Sequence, residues 1–359
     1  MSKIVSIGTA LPVYCHRQMD ILSFMQRVYA LTEVEARKLK FLYSQSGIDY
    51  RYSVLPDYSR PMSDWKFYSP TENLEPFPSL EQRMAVYHKQ APLLSVDAIR
   101  DCLNHTHHHK NITHLITVSC TGMSAPGLDL QVMELLDLEK TIFRTSINFM
   151  GCYAAIHAMK LADVICKADR SAQVLIVCTE LCTLHFQREA TMDNMASSLL
   201  FGDGAAAALV MHADTDLHGL TLDSFYSEIN PKGKRDMAWE LSSTGFLMTL
   251  SGYVPALIEE DFAAIVARAL ERDDTAQEAI SHWCIHPGGK RIVSAIHKSL
   301  ALTNGELQCS YDVLKEVGNL SSATILFVLK KMLQQKKIPK LFGAAFGPGL
   351  TVETFTAHS

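Results

Sequence analysis

Residues 145–178 read TSINFMGCYAAIHAMKLADVICKADRSAQVLIVC and place a strand, a helix and a second strand in succession. Thr145–Met150 is a strand candidate that ends at Gly151, and Gln173–Cys178 is the kind of apolar run that forms a buried strand. From Cys152 to Asp169, apolar residues recur every three or four positions, which is the period of a helix. This order of elements predicts an α/β fold.

A similar segment lies 167 positions further along the chain. A helical stretch runs from Asn319 to Leu333, and a strand begins at Lys340, 21 residues after Asn319, just as Gln173 lies 21 residues after Cys152. One strand–helix–strand pair could recur by chance, because such units are common. The equal spacing favours an internal duplication instead.

Two matching glycine turns support the duplication. Phe201-Gly-Asp-Gly204 and Phe346-Gly-Pro-Gly349 each precede a further strand, although an inserted loop separates the first turn from the strand before it. We therefore predict two related halves, residues 1–212 and 213–359, packed on each other. Such packing would bring the equivalent helix N-termini of the two halves together at a shared centre.

The composition of the 359-residue chain excludes several classes of protein. With 48% hydrophobic and 20% charged residues, the chain is expected to fold throughout. A net charge of −5 gives no general attraction to nucleic acid. The longest unbroken apolar run, Ala205 to Met211, is far shorter than the roughly 18 residues of a membrane span. Nine cysteines without a signal-peptide pattern indicate reduced thiols and a cytoplasmic location.

Cys152 is a candidate nucleophile because it follows Gly151 at the predicted junction of strand and helix. Unpaired backbone N–H groups and the helix dipole at such a junction favour a thiolate over a thiol. The alternative is a buried structural cysteine, since free cysteine is among the most buried residue types.

His286 and Asn319 are the other candidates for catalysis. His286 ends a strand-like run and precedes Pro287-Gly-Gly289, so its imidazole could exchange protons at the end of a strand or simply be satisfied within the turn. Asn319 could cap its own helix or direct an amide N–H at a developing oxyanion. The residues alone leave both alternatives open.

Metal and nucleotide sites have weaker support. Cys178, Cys182 and His185 are spaced like part of a zinc site, but no fourth ligand follows at a recognisable spacing. The four histidines within residues 105–109 more often mark a solvated loop than a metal site. Neither glycine-rich phosphate-binding motif occurs, so no dinucleotide or P-loop site is expected.

Several motifs, taken together and in this order, resemble those of the type III polyketide synthases, the chalcone synthase superfamily. The resemblance rests on Gly151-Cys152, Phe201-Gly-Asp-Gly-Ala205, His286-Pro-Gly-Gly289, Gly318-Asn-Leu-Ser-Ser322 and Phe346-Gly-Pro-Gly-Leu-Thr-Val-Glu-Thr354. It covers essentially the whole chain. It implies a thiolase-like αβαβα fold of two similar halves, a homodimer, and a catalytic triad of Cys152, His286 and Asn319.

The resemblance also implies the chemistry. Cys152 would take an acyl starter from CoA as a thioester, with His286 sustaining the thiolate. His286 and Asn319 would then hold the thioester carbonyl of malonyl-CoA while CO₂ leaves, and the resulting carbanion would attack the acyl group. Malonyl-CoA and acyl-CoA are thus substrates, and no metal or organic cofactor is expected.

Pocket residues follow from the same resemblance. Phe201 matches a gatekeeper aromatic at the cavity mouth, and Met248 lies near the position of a second one. Trp239 replaces a pocket glycine and must reshape the cavity. The remaining positions expected to line the starter and cyclisation space are Cys182, His185, Ser321 and Glu180.

The combination of Cys182, His185 and Trp239 resembles bacterial alkylresorcinol and alkylpyrone synthases, which implies a fatty acyl starter. Alternatively, Trp239 blocks any tunnel, and the enzyme accepts short starters or malonyl units alone, as in phloroglucinol formation. A single condensation by a β-ketoacyl carrier-protein synthase III and a catalytically silent acyl-binding protein are further alternatives. The choice between aldol and lactone closure stays open.

The expected CoA site departs from the plant pattern. Of three basic residues that grip CoA in the plant enzymes, Lys38 matches one, whereas the other two positions hold Phe41 and Gln45. Compensating contacts are expected from Lys40, or from Gly288, Lys290 and Arg291 around the His286 turn. Otherwise an acyl carrier protein would deliver the starter.

Overall fold

The computed structural model describes residues 1–103, 111–334 and 337–359. The histidine-rich residues 105–109 therefore lie outside the described residues. Across the described part of the chain, the strands are β1 Ser2–Ala10, β2 Tyr14–Arg17, β3 Tyr50–Ser53, β4 His114–Ser119, β5 Phe143–Asn148, β6 Gln173–Leu181, β7 Asp203–His212, β8 Leu220–Ile229, β9 Met237–Ser242, β10 Gly245–Leu250, β11 His282–Ile285, β12 Leu341–Gly347 and β13 Thr351–His358.

The α-helices of the described residues alternate with these strands. They are α1 Gln18–Val28, α2 Glu33–Gln45, α3 Leu80–Leu103, α4 Leu128–Leu136, α5 Ala154–Ala168, α6 Met192–Leu200, α7 Val254–Glu271, α8 Lys290–Ser299, α9 Gln308–Val317 and α10 Thr324–Leu333. No helix among them is both long and apolar enough to cross a membrane.

Nine strands form one sheet in the order β11-β12-β13-β8-β1-β7-β6-β4-β5, which is symmetric about the β8–β1 pair except that β5 has no counterpart in the other half. In one half, β4 runs parallel to β6 and β6 antiparallel to β7. In the other, β11 runs parallel to β12 and β12 antiparallel to β13. The two halves join where Ser2 of β1 lies opposite Leu222 of β8. The predicted duplication of an α/β unit is confirmed.

The helices and the strands of the large sheet form five layers, because the strands bury both faces of the sheet. Alternating residues of β6 show this: Val174 and Ile176 pack in the central cluster with α5 and α10, whereas Leu175 and Val177 pack toward α1 and α3. A third cluster joins the other face of β11 and β12 to α7 and α8. The αβαβα class predicted from the sequence is confirmed.

Both central helices begin later than predicted. α5 begins at Ala154 instead of Cys152, so the cysteine lies in the turn before the helix. α10 begins at Thr324 instead of Asn319, after a 3₁₀ turn over residues 321–323. Ser321 has a φ of +50°, a left-handed conformation that the apolar period of the sequence does not reveal.

Residues 1–103 contain short strands as well as helices. β2 and β3 pair there as a small antiparallel sheet. Along β3 the side chains alternate between exposed and buried, and Arg51 takes an inward position. A second small sheet, formed by β9 and β10, closes one side of the cavity described below.

Candidate active site

One cavity brings together Cys152, His286 and Asn319. It encloses about 1200 Å³ of empty space, part of which opens to solvent. Cys152 follows β5, His286 follows β11, and Asn319 lies between α9 and α10. The two halves of the fold therefore contribute to one site, as the duplication predicted.

Gly151 fixes the turn that carries Cys152. Its φ is +87°, and a Cβ added there would lie 2.1 Å from Cδ of Pro348, so only glycine fits. Its N–H donates to the Cys120 sulfur at 3.0 Å. The Cys152 thiol lies 3.7 Å from the Ser321 hydroxyl oxygen.

Burial disfavours the charged forms of both the cysteine and the histidine. Burial raises the pKa of Cys152 to about 12, which the Ser321 hydrogen bond only partly offsets. Burial lowers the pKa of His286 to about 3. Burial thus opposes the thiolate that the junction of strand and helix was expected to favour, and that expectation stays a prediction. Among the described residues, both ring nitrogens of His286 lack a hydrogen-bond partner.

Asn319 is held in place by backbone hydrogen bonds on both sides. Its N–H donates to the Leu200 carbonyl at 2.9 Å, and its carbonyl accepts from the Gly202 N–H at 2.9 Å. Its side-chain oxygen accepts from the Ser321 N–H at 2.8 Å, and its amide nitrogen donates one N–H to the Gly288 carbonyl at 3.3 Å. The carboxamide orientation is thus fixed, and the amide nitrogen carries a second N–H.

Most of the predicted pocket residues line this cavity. They are Phe201, Met248, Cys182, His185, Trp239 and Ser321, and Gly288, which was expected at the CoA site, lines the cavity as well. Their presence in one cavity with the triad agrees with the positions expected from the sequence. Their roles toward a substrate stay predictions.

Glu180 departs from that pattern, since it does not line the cavity. It is fully buried behind the wall, where its carboxylate accepts hydrogen bonds from the Cys120 N–H and from the hydroxyls of Thr121 and Ser322. The carboxylate oxygens of Glu180 therefore bond to protein groups behind the wall. The prediction that Glu180 lines the substrate space is corrected accordingly. Burial raises the pKa of Glu180 to about 7 despite these bonds.

The raised pKa of Glu180 predicts a pH-dependent stability. The folded protein binds the proton more tightly than the unfolded chain, whose carboxyl titrates near 4.5, so this stabilisation is complete below pH 4.5 and is lost as the pH rises through about 7. Relative to Glu180→Gln, the unmodified chain should lose about 2 kcal/mol of unfolding free energy between pH 5 and pH 8. Urea unfolding measures this, and a pH-independent difference would contradict it.

Aromatic residues form a fixed wall of the cavity. The His185 ring stacks on Phe246 with centroids 4.1 Å apart, and Trp239 meets both rings edge-on. His185 Nε2 lies 2.7 Å from the Thr121 carbonyl oxygen, and its Nδ1 accepts from the Phe246 N–H at 3.1 Å. The indole N–H of Trp239 donates to the Cys120 carbonyl at 2.6 Å. These bonds tie the β9–β10 hairpin to the body of the protein.

The same bonds bear on the zinc hypothesis. Both ring nitrogens of His185 are engaged by the backbone, so neither offers a lone pair to a metal. Cys178 packs in the central cluster, whereas Cys182 lines the cavity. Within the described ranges, no group of three or more potential ligands is placed to bind a metal ion.

The expected CoA residues fall at different places. Arg291 lines a surface groove, together with Phe41, Gln45, Lys290 and Lys298, between α2, α7 and α8. Lys38 and Lys40 are exposed on α2 but do not line that groove.

One part of the cavity lining was not predicted from the sequence. Ile21 and Met25 of α1, Tyr58, and the inward-facing Arg51 of β3 line it. These residues lie far from the triad in sequence. Among them, only Arg51, a charged side chain at an inward position of a strand, offered a sign of a functional site. The α1 contribution depends on how the helix packs, which the motifs do not encode.

Comparison with known proteins identifies the family. Residues 1–214 match the family model "Chalcone and stilbene synthases, N-terminal domain", and residues 221–359 match the model of the C-terminal domain. A "Putative chalcone synthase" of Bacillus subtilis (strain 168) is 30% identical over 98% of this chain and 97% of its own length. "Probable polyketide synthase 1" of Dictyostelium discoideum is also 30% identical, but the chain spans only 11% of that protein.

Two solved structures share the fold over the full chain. PKS-I from the brown alga Ectocarpus siliculosus has a TM-score of 0.93 at 25% identity, with 98% of its chain covered. The C-terminal type III polyketide synthase domain of a type I/III hybrid from Dictyostelium has a TM-score of 0.91 at 27% identity, with 99% covered. The chain therefore belongs to the chalcone and stilbene synthase family and is an acyltransferase of the type III polyketide synthase class.

Proposed function

We propose that this protein extends an acyl starter held on Cys152 by iterative decarboxylative condensation with malonyl-CoA. The observation that carries the proposal is the single cavity that holds the Cys152 thiol, the unpartnered His286 imidazole and the fixed Asn319 amide. A thiol, a proton acceptor and an oxyanion donor are what acyl transfer requires.

Loading begins with transfer of the Cys152 proton to His286. The thiolate and imidazolium stabilise each other in the low dielectric of the cavity, where neither charge is favourable alone. The thiolate attacks the acyl-CoA carbonyl, the C–S bond to CoA breaks, and the CoA thiolate takes the proton from His286. The acyl group is then a thioester on Cys152.

Extension follows with malonyl-CoA. The Asn319 amide and His286, donating one N–H, hold the thioester oxygen while the bond to the carboxylate breaks and CO₂ leaves. The electron pair remains on the enolate of acetyl-CoA, whose carbon attacks the acyl carbonyl and displaces the Cys152 thiolate. The β-ketoacyl-CoA formed can be loaded again. No step needs a metal or an organic cofactor.

A fatty acyl starter, with closure to an alkylresorcinol or alkylpyrone, is the preferred substrate and product class. Its support is the apolar part of the cavity lining, which includes Met237, Met248 and Leu250 of the β9–β10 hairpin together with Ile292 and Phe346. An alkyl chain buried there would gain about 0.8 kcal/mol per methylene.

Short starters, or malonyl units alone, are the second candidate. The anchored indole of Trp239 favours them, because a side chain held by the Cys120 carbonyl cannot swing aside to open a tunnel. If Trp239 limits the starter, Trp239→Ala should raise kcat/KM for a twelve-carbon over a four-carbon acyl-CoA by about tenfold. Trp239→Phe, which keeps most of the volume, should change that ratio little. Product masses and initial rates test this. An unchanged ratio in Trp239→Ala would show that another part of the cavity limits the length of the starter.

A ladder of acyl-CoA lengths with malonyl-CoA tests the proposed function. Products containing two or more added two-carbon units, with release of one CO₂ for each unit, are the expected result. A single extension without ring formation would support a β-ketoacyl carrier-protein synthase III instead, and stoichiometric acyl-CoA binding without CO₂ would support a silent binding protein.

The assembly of the protein and the delivery of its acyl substrates belong to the same proposal. We infer a cytoplasmic homodimer with halves 1–212 and 213–359. The edge strand β5 supports a dimer, since five of its six side chains are exposed, including Phe143 at 71%. The basic groove of Lys290, Arg291 and Lys298 suits the phosphates of CoA or of a carrier-protein arm. Nucleic acid is not an expected partner.

A further inference from the structure

The Ser321 hydroxyl is a hydrogen-bond partner of the Cys152 thiol. The Cys152 sulfur lies 3.7 Å from the Ser321 Oγ, and the thiol is the donor. Both residues line the cavity, where Ser321 is 5% exposed. In contrast, neither ring nitrogen of His286 has a hydrogen-bond partner among the described residues. The thiol proton is therefore directed at Ser321 and not at the imidazole.

The backbone of Ser321 is held in a conformation that serine rarely adopts. Its φ is +50°, in the left-handed region. Its N–H donates to the Asn319 side-chain oxygen at 2.8 Å, and its carbonyl accepts from the Thr324 hydroxyl at 2.9 Å. A residue other than glycine keeps such a conformation only where its surroundings fix it, and such residues cluster at active sites. The direction of the Ser321 side chain is therefore set by the residues on either side of it.

The neighbouring Ser322 provides an internal comparison. It is buried without lining the cavity, and its hydroxyl donates to the Glu180 carboxylate. Of two consecutive hydroxyls, one therefore bonds to a carboxylate behind the wall and the other to the thiol inside the cavity. Across the described ranges, the Ser321 hydroxyl contacts no hydrogen-bond partner other than the Cys152 sulfur. Its hydrogen is thus available to that sulfur.

The surroundings of the Cys152 sulfur oppose a negative charge on it. The titratable side chains near this sulfur come from other elements of the fold and are Glu180, Cys120, Cys182 and His286. Burial, together with the Glu180 carboxylate, raises the pKa of Cys152 to about 12. Burial also holds the pKa of the Cys120 and Cys182 thiols well above the ordinary range. A thiolate at Cys152 therefore needs hydrogen-bond donors.

Ser321 and Asn319 are the side-chain donors near the sulfur. Among the groups that lower the pKa of Cys152, the Ser321 hydroxyl acts most strongly, ahead of the Asn319 amide. One N–H of that amide already donates to the Gly288 carbonyl at 3.3 Å. The hydroxyl is therefore the stronger of the two contacts for a charge on the sulfur.

We propose that the Ser321 hydroxyl is a further catalytic group, which accepts the hydrogen bond of the Cys152 thiol and donates to the sulfur once the proton has passed to His286. This inference rests on the proposed function. A hydroxyl both accepts and donates, and its hydrogen rotates to suit, so Ser321 keeps its own proton while the thiol proton moves to the imidazole. Hydrogen bonds to an ionised group are roughly twice as strong as neutral ones. The contact therefore stabilises the thiolate more than the thiol, and Ser321 assists the loading of Cys152.

Alkylation of Cys152 by iodoacetamide across a range of pH, followed by peptide mass spectrometry, tests this role without any acyl substrate. The exposed Cys15 is first replaced by alanine. Ser321→Ala should lower the alkylation rate at neutral pH about tenfold and move the pH profile up by about one unit. Ser321→Gly also removes the hydroxyl but accommodates the left-handed backbone, so it should give the same shift. Both variants keep Glu180, so its titration affects all the profiles alike.

Ser197→Ala is the matched control. Ser197 also lines the cavity, but its hydroxyl donates to the Asn194 carbonyl at 3.1 Å. Its alkylation profile should match that of the chain with both serines intact. Unchanged profiles in both Ser321 variants would overturn the inference. A shift in Ser321→Ala without one in Ser321→Gly would overturn it as well, because backbone strain would then be the cause, and so would an equal shift in Ser197→Ala.

A second measurement separates the Ser321 hydroxyl from the Asn319 amide. Ser321→Ala retains the N–H that holds the Asn319 carboxamide. When it is added to Cys152→Ala, release of CO₂ from malonyl-CoA should fall much less than acylation of Cys152 falls in Ser321→Ala itself. Comparable losses would mean that Ser321 acts through Asn319, and would overturn the inference. If the unmodified chain makes no product with two or more extensions, the proposed function fails; if it makes them and the alkylation profile does not shift, only the role of Ser321 fails.

Discussion

Replacing Cys152 with alanine should abolish polyketide formation, with a loss of at least about 10⁴-fold, comparable to the loss of a nucleophile in other acyl-transfer enzymes. The acyl starter then has no sulfur to which it can transfer. Intact-protein mass spectrometry after incubation with an acyl-CoA should show the acyl adduct on the unmodified chain and none on the variant. Release of CO₂ from malonyl-CoA should persist at a reduced rate, since His286 and Asn319 remain.

Cys15→Ala is the matched control for this variant. Cys15 is exposed on β2, whereas Cys152 is only partly accessible inside the cavity. The control should retain the acyl adduct and the products. Alkylation by iodoacetamide should therefore modify Cys15 as well as Cys152, so a labelling experiment belongs in the Cys15→Ala background. Normal product yield from Cys152→Ala would overturn the proposed function.

Asn319→Ala should lower the rate of malonyl-CoA decarboxylation by about 10²- to 10³-fold, the effect of removing one oxyanion donor. Acylation of Cys152 depends on the thiol and His286, and should fall much less. Stopped assays that follow CO₂ and the acyl adduct separately would show the difference. A melting temperature close to that of the unmodified chain would show that the loss is not unfolding.

Equal losses in both assays would contradict this assignment. In that case the Asn319 side chain would act by holding the Ser321 turn and the Gly288 loop in place, through its bonds to the Ser321 N–H and the Gly288 carbonyl, and not by donating to the malonyl thioester. Gln18→Leu offers a comparison for a supporting role, because the Gln18 side chain donates to the Leu199 carbonyl without lining the cavity. Its effects on the two assays should be equal.

The fold, and the presence of Cys152, His286 and Asn319 in one cavity, could be predicted from the sequence because both have local signals. The repeat spacing predicted two α/β halves, and the cysteine, histidine and asparagine each stand beside a glycine or proline turn at the end of an element. Those turns are required by backbone geometry, as the +87° φ of Gly151 shows. Local rules of this kind can be read from residue order alone.

Other features depended on packing that residue order does not specify. The thiolate expected for Cys152 neglected desolvation, which becomes visible only when the surrounding walls are known. Glu180 was placed in the pocket because of its position in the motif, but its oxygens are taken by neighbouring donors. Arg51 was overlooked because its partners, Gln18 and Phe201, come from distant parts of the chain.

The symmetric strand order has an evolutionary consequence. β11 and β4 hold equivalent places in the two halves, and the residue that follows each is His286 in one half and Cys120 in the other. The imidazole of the second copy thus stands where the first copy has a thiol, just as Asn319 occupies the place corresponding to Cys152. Once the ancestral gene had doubled, each copy was free to specialise. The same two positions could then diverge independently, to Cys120 and Cys152 in the first copy and to His286 and Asn319 in the second.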